Sequence, residues 1–595
     1  MRAFPLFVAA ISGILLLTQG SRLFAQEAPT RTFRQWVGGQ EVGGASQEAK
    51  AQGQGREVRN REWMSISRLG QEIRQEVDQT VRRAPDGSLA FTWRLQLSKE
   101  PFEGRAEWSP ADPGSLNLHP LNGAALRTQV PAGAVLWPEE LDARLMEAAR
   151  LRRPVQAITF SFPVQQWSTL TLEPAGPDPL PGFPDAVHFT GKETQGASTT
   201  PVEAWISPSA GELRQSTELG GLTILMQRAE LPPPKARAND AEGFFERTLQ
   251  RLPPHPFQPW LRNLTLRAEG PVPTLPEDAQ QIRLPGGRWR LERAAAPSAA
   301  EAAQLPVTGS PTGDEARYLA PSPLVPFRDP AFNGLLQRLA LPTGLPRWGL
   351  AKRVTSFVFD WITEKDFTVG FASALEVCRT PRGDCTEHGV LAVALLRRLG
   401  VPARGVTGWV GLGDTLGLHF WVEVKLRDRW VPVDPTFDQA PASAFRIKLG
   451  DTDLSDLGSV GWESAALAFS GVRWIPEQEG TAPWGSGTRI EGDQVTASDG
   501  SRLRLPGGRW HLDRGALTLN RAWSVEAVPR PGQAQLKGNR RLAGPHTFRE
   551  GWWDPASRRL WMDLGQGRWL RLDGVTEVAA YQLLDQLMAP ATSSS

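Results

Sequence analysis

The chain has only two cysteines, Cys378 and Cys385, in 595 residues. That scarcity removes the paired C-x2-C spacing on which most structural zinc sites rest. Cys378, Cys385, His388 and His419 would supply four zinc ligands, but their spacing fits no common pattern. No D-x-D-x-D-G loop argues for calcium. Neither a metal nor another cofactor is called for. Charge of one sign is also missing. The formal net charge is +2, with basic and acidic residues interspersed and no polybasic run, so a nucleic-acid partner lacks its electrostatic footprint. Long apolar runs are absent as well. The stretch from Phe4 to Leu17, behind Arg2, falls short of the ~20 residues that span a bilayer and reads as a signal peptide with cleavage after Ala25. An uncleaved anchor is the alternative. No cysteine follows the run, which excludes a lipid-anchored form. The expectation is an exported protein, periplasmic or secreted, with no integral membrane span beyond this signal.

What is present is enough apolar content, 40%, for ordinary cores in several domains. Glycine and proline cluster at 174–184, 232–234, 253–259, 271–276 and 294–313 and mark joints.

Cys385 opens a helix. From Cys385 to Gly400 the residues Val390, Leu391, Val393, Ala394, Leu395, Leu396 and Leu399 read as a buried helix, stopped by Gly400 and Pro402. Asp384 stands at the N-cap and Glu387 three residues on, a capping-box pattern. A cysteine at that end faces the positive pole of the helix dipole, which favours thiolate, the form that attacks carbonyl carbon.

A nucleophilic thiol needs a base and a group that orients it. The segment LHFWVEVKLRDRWVPVDPTF carries His419 on one alternating strand and Asp434 at the end of the next. Two registers are open. A loop from Lys425 to Asp428 pairs Val424 with Arg429 and sets His419 opposite Asp434, Cβ atoms ~5 Å apart. A tighter Asp428-Arg429 turn sets Asp434 against Glu423 and leaves His419 about 13 Å away. Asp434, followed by proline, equally suits a turn that closes the strand.

GDCTEH, HFWVEV and WVPVDPTF, in that order, resemble the bacterial transglutaminase-like domain, a papain-like cysteine fold. The strings YLAPSPLVPF and FASALEVCRTPRGDC resemble it too, and the likeness spans roughly 316–474. The resemblance implies Cys385 as nucleophile, His419 as general base and acid, and Asp434 as the residue orienting the imidazole. The oxyanion of the intermediate would be met by the Cys385 amide, with Trp361 or Trp409 as side-chain candidates. Trp421 is placed to pack over the imidazole, and His388, one turn past Cys385, is a cleft candidate or a cap. Export also makes a Cys378–Cys385 disulfide a possible lock on the thiol; the other reading of Cys378 is a buried free thiol.

The expected architecture is α+β: a central papain-like, transglutaminase-like core flanked by mainly antiparallel β domains. The divisions are a signal peptide at 1–25, a flexible segment at 26–62, an antiparallel β domain with one or two helices at 63–235, a linker helix and strands at 236–315, the transglutaminase-like domain at 316–475 and a β-rich region at 476–595. Ile73, Val77 and Val81 share a face of a strand or a helix; Leu89 to Leu97 alternate as a strand after a Pro-Asp-Gly turn. Residues 138–150 read as a helix, 240–251 as another, and 575–588 as a closing one. LPGGRWRLER at Leu284 recurs as LPGGRWHLDR at Leu505, each a Gly-Gly hairpin turn before a Trp-anchored strand. The function read from these features is formation of an acyl-thioenzyme from a peptide or carboxamide bond, then transfer to water or an amine. The substrate would be a protein or peptide, with a cell-envelope partner possible through the flanking β domains. A catalytically silent scaffold is the alternative.

Overall fold

A computed structural model describes residues 28–234, 249–252, 263–455, 472–479 and segments between 489 and 584, each less a few short stretches. The signal-peptide expectation and most of the 240–251 helix lie outside these residues. Gln250–Arg251 is a short strand, which corrects the end of that helix.

The fold is α+β and sheet-rich. Its first unit is one antiparallel sheet of fourteen strands. Chain order gives β1 (Ala28–Val37), β2 (Gln40–Gln52), β3 (Gly55–Arg68), β4 (Gln71–Arg83), β5 (Leu89–Gln96), β6 (Phe102–Ser109), β7 (Asp112–Pro120) and β8 (Leu126–Gln129). Helix α1 (Pro138–Leu151) follows. Then come β9 (Val155–Ser161), β10 (Gln166–Pro177), β11 (Val187–Gln195), β12 (Ser198–Ser207), β13 (Gly211–Leu219) and β14 (Leu222–Arg228). Neighbours in sequence pair, and β1 closes on β14 with Gln35 opposite Met226.

The flexible segment expected at 26–62 is therefore corrected: β1, β2 and the start of β3 occupy it. The reason is physical. Its strands bury amides such as Gln35, Gln47 and Asn60 where apolar residues would normally mark the inner face, so the alternation that signals a strand is absent. The domain boundary moves from 63 to 28 accordingly.

Other elements of this unit follow their patterns. Ile73, Val77 and Val81 are buried on β4, and Gly87 takes a positive φ in the Pro-Asp-Gly turn before β5. Helix α1 buries Leu141, Leu145 and Ala148 against β9 to β12, and its Asp142 pairs with Arg31 of β1 at 2.9 Å. The β9 end of the sheet comes back to β5, where Phe91 stacks on Phe162 beyond β9, centroids 4.2 Å apart.

The second unit carries the candidate site. Helices α2 (Ala299–Ala302), α3 (Phe332–Leu339), α4 (Arg347–Trp361), α5 (Ala374–Arg379) and α6 (Cys385–Arg398) precede an antiparallel sheet. That sheet joins β15 (Gln250–Arg251), β19 (Ala403–Leu412), β20 (Thr415–Leu426), β21 (Arg429–Val433) and β22 (Arg446–Thr452). On it pack β16 (Asn263–Glu269), β17 (Gln281–Leu284), β18 (Arg288–Glu292) and β23 (Arg473–Glu479), which form a sheet of their own. The β17–β18 hairpin turns through Gly286 and Gly287, both at positive φ, as the Gly-Gly motif predicts. The turn of the second copy lies outside the described residues. Beyond β23 the described segments form three small antiparallel sheets, and 579–580 and 582–584 are helical. No helix among the described residues is long and apolar enough to cross a membrane.

The two units share a core. Phe33, Met64, Val77 and Leu95 of the first sheet belong to the same apolar cluster as Val354 of α4 and Val393 of α6. A polar seam runs beside it. Glu376 of α5 accepts from Ser98 Oγ at 2.5 Å and from the amides of Lys99 and Glu100 at 3.2 Å, in the loop after β5, and Arg379 pairs with Glu100.

Candidate active site

Helix α6 begins where its cap dictates. Asp384 Oδ1 accepts from the Thr386 amide at 2.9 Å, and Glu387 reaches back to the Asp384 amide at 2.9 Å. The other Glu387 oxygen accepts from the Ala372 amide, 2.9 Å away, so the cap is tied to the segment leading into α5. Burial, and then the neighbouring Asp384 charge, pushes the Glu387 carboxyl well above its usual range. His388 is fully buried and its Nδ1 bonds the Asp384 carbonyl, which places it inside the cap. The helix ends at Gly400, where φ is +76° and a Cβ would meet the Val307 carbonyl oxygen at 2.4 Å.

One face of α6 lies directly on β20. Gly389, one turn past Cys385, faces Phe420, the neighbour of His419 in the strand; a Cβ at Gly389 would come within 2.2 Å of that ring. Cys385 itself is 8% exposed and shares the cluster that holds Phe420. Gly389→Ala is expected to push α6 off the strand and cost about 1–3 kcal/mol. Thermal unfolding checks this, and an unchanged midpoint would show that the contact is slack.

The register of β20 and β21 falls between the two expected ones. Leu426 pairs with Arg429 and Val422 with Val433, so the turn is Arg427-Asp428, with Arg427 at φ 47°. Both sequence registers are thus corrected: Asp434 follows Val433 into the position facing Trp421, diagonal to His419 on the same face. The diagonal suffices. His419 Nε2 lies 2.8 Å from Asp434 Oδ2, both side chains buried. Strand β15 pairs β20 at 415–416 and β21 pairs it at 422–426, so His419 sits in the interval between.

Asp434 is held from several sides. Its amide donates to the Gln439 carbonyl at 2.8 Å, and Oδ1 accepts from the Thr436 amide at 2.9 Å, so it closes the turn as well as meeting His419. Arg446 of β22 donates to the same Oδ2 at 2.5 Å. Burial alone would raise this carboxyl, but the charges and hydrogen bonds of His419 and Arg446 outweigh it and hold Asp434 well below the usual carboxylate range. Arg446 is the residue the sequence reading missed. It stands in FRIK, where an arginine in a strand carries no signal that it turns inward.

Around the imidazole, Trp421 lies nearly parallel at 6.3 Å and Phe437 at 5.0 Å. The other tryptophans are placed elsewhere. Trp361 donates its indole N–H to the Val377 carbonyl at 3.2 Å and stacks on Phe357. Trp409 packs with Trp474 in the cluster under β16 and β18. Neither cysteine is in a disulfide, both side chains are buried, and burial pushes the Cys378 thiol up to about 11, the wrong direction for a nucleophile. Among the described residues no group of three or more His, Cys, Asp or Glu could hold a metal ion.

Residues 344–435 match the sequence pattern of the Transglutaminase-like superfamily. None of the curated proteins matches the chain. Similar solved structures include the following two. One is a beta-barrel-like protein with a domain of unknown function, DUF1849, from Brucella abortus, at 10% identity and TM-score 0.28, covering 35% of this chain and 97% of its own. The other is a candidate cysteine protease from Cytophaga hutchinsonii, at 15% identity and TM-score 0.23, covering 37% of this chain and 84% of its own. The matched span contains Cys385, His419 and Asp434, so this part of the chain carries a transglutaminase-like domain.

Proposed function

We propose that this chain is an exported cysteine enzyme with a papain-like catalytic core that forms an acyl-thioenzyme on Cys385. The observation that carries the reading is the buried His419–Asp434 pair at 2.8 Å, on the strand against which the Cys385 helix packs. With Nε2 engaged by Asp434, Nδ1 is the nitrogen that exchanges a proton with the thiol. The Cys385 thiolate attacks the carbonyl carbon of a peptide or carboxamide. The imidazolium then gives its proton to the departing amine or ammonia, and a thioester remains. Water or a lysine-type amine next attacks the thioester, gives a proton to His419, and releases the thiolate. The Cys385 amide, at the start of α6, is the first donor for the oxyanion.

The test is site-resolved labelling of the folded, reduced protein in two parallel samples, one with iodoacetamide and one with an acyl-trapping glutamine peptide. Alkylation and acylation are expected at Cys385 and not at Cys378. Absence of both at Cys385 would leave the domain as a scaffold of the cell envelope.

A further inference from the structure

The face of the fourteen-stranded sheet that carries α1 buries polar atoms the catalytic reading does not use. Gln35, Asn60, Glu62, Gln75, Gln195 and Gln215 are each at most 7% exposed. Asn60 leaves both side-chain polar atoms, and Glu62 both carboxyl oxygens, without a hydrogen-bond partner among the described residues. Each of the four glutamines leaves its Oε1 in the same state.

Register shows that these side chains share one surface. Gln215, Met226, Gln35, Gly43, Met64 and Gln75 face one another in a row across β13, β14 and β1 to β4. Glu62 stands in the next row, between Ala45 and Val77, and Asn60 in the third, between Gln47 and Gln79. Apolar rows bound the belt, with Val37 and Ile224 on one side and Val58, Val81 and Phe91 on the other. Buried polar groups in folded proteins are satisfied by something. Here protein leaves these atoms unsatisfied, and all but Gln195 fall in three successive rows of one face.

The chemistry of the belt selects its partner. Amides dominate, and each both donates and accepts. Arg31 and Arg228 on this face each stand beside an acid, Asp142 at 2.9 Å and Glu230 at 2.8 Å, and the buried Glu212 lies near both arginines. An anionic ligand thus meets no excess positive charge, while Arg228 Nη1 adds one more buried donor without a hydrogen-bond partner among the described residues. Burial holds the Glu62 carboxyl well above its usual range, which makes it a neutral donor as well as an acceptor. A peptide strand would need an open sheet edge for its backbone. The belt lies instead on a face, in strands paired on both sides. We infer that it binds a small neutral polyhydroxyl ligand, a saccharide of one or two rings, whose hydroxyls donate and accept in all directions.

The full-length protein would be titrated with glucose, galactose, N-acetylglucosamine, maltose, lactose and N,N′-diacetylchitobiose, with glucuronate as the charged control. At least one neutral sugar is expected to raise the unfolding temperature saturably, and glucuronate is not. Asn60→Leu should weaken that sugar at least tenfold while leaving the unliganded protein as stable or more so. Should Asn60→Leu fail to fold, the near-isosteric Glu62→Gln gives the same reading with a smaller loss. No saturable shift with any of the six sugars, or an unchanged affinity in the folded variant, would overturn the inference. Binding is read without turnover, so either outcome leaves the role of Cys385 untouched.

Discussion

Cys385→Ala is expected to lower acyl transfer by a factor on the order of 10⁴–10⁶, the scale on which removing a nucleophile from a triad acts. The magnitude follows from what remains. His419 and Asp434 keep their 2.8 Å contact without Cys385, but no covalent intermediate can form, and positioning alone supplies only a residual rate. The fold should tolerate the change. Alanine keeps the helix start, the cap rests on Asp384 and Glu387, and loss of one sulfur from a site still 8% exposed costs about 1 kcal/mol. Turnover measured beside thermal unfolding separates the two effects. A variant that keeps its activity with unchanged stability would remove Cys385 from the chemistry.

Asp434→Asn should cost both activity and stability. The buried carboxylate faces His419 and Arg446 through one oxygen. Asparagine leaves the Arg446 guanidinium buried without its counter-charge, which costs about 3–5 kcal/mol. The imidazole also loses the acceptor that fixes its tautomer, a loss worth about 10⁴ in kcat where it has been isolated. The sign with pH follows from the direction of the shift. Asp434 is depressed in the folded protein, so its contribution is fully present above the ordinary carboxylate range and is lost as pH falls below about 4. The stability gap between wild type and variant, from denaturant unfolding at several pH values, should therefore be widest near neutrality and narrow in acid. A constant gap would mean that Asp434 acts through packing rather than charge.

The parts of the site set by near neighbours in sequence could be read from it. The Asp384 and Glu387 cap, the stop at Gly400 and the Gly286-Gly287 hairpin each depend on a few adjacent residues. Register was harder. Nothing in KLRDRW marks Arg427 for a left-handed conformation, because no glycine or asparagine stands there, so both registers open to the sequence centre the turn one residue to either side of where it forms. Of the two registers open to the sequence, one brings His419 to Asp434, but as a direct cross-strand pair rather than the diagonal one that forms. Arg446 was invisible because its partner is twelve residues away around a turn. The first strands were invisible for the opposite reason: their inward residues are amides, and a polar inner face reads as a solvated segment.

The seam at Glu376 links the order of synthesis to the shape of the site. Its partner Ser98 lies 278 residues earlier. The first sheet can close only when β14 arrives to pair β1, and that strand ends at Arg228, well before α5. Emerging N-terminus first, from a ribosome or a translocation pore, the chain would therefore present a finished docking loop to α5 as it appears. The Cys385 helix, tied to the run into α5 through Ala372 and Glu387, would be assembled against a template already in place.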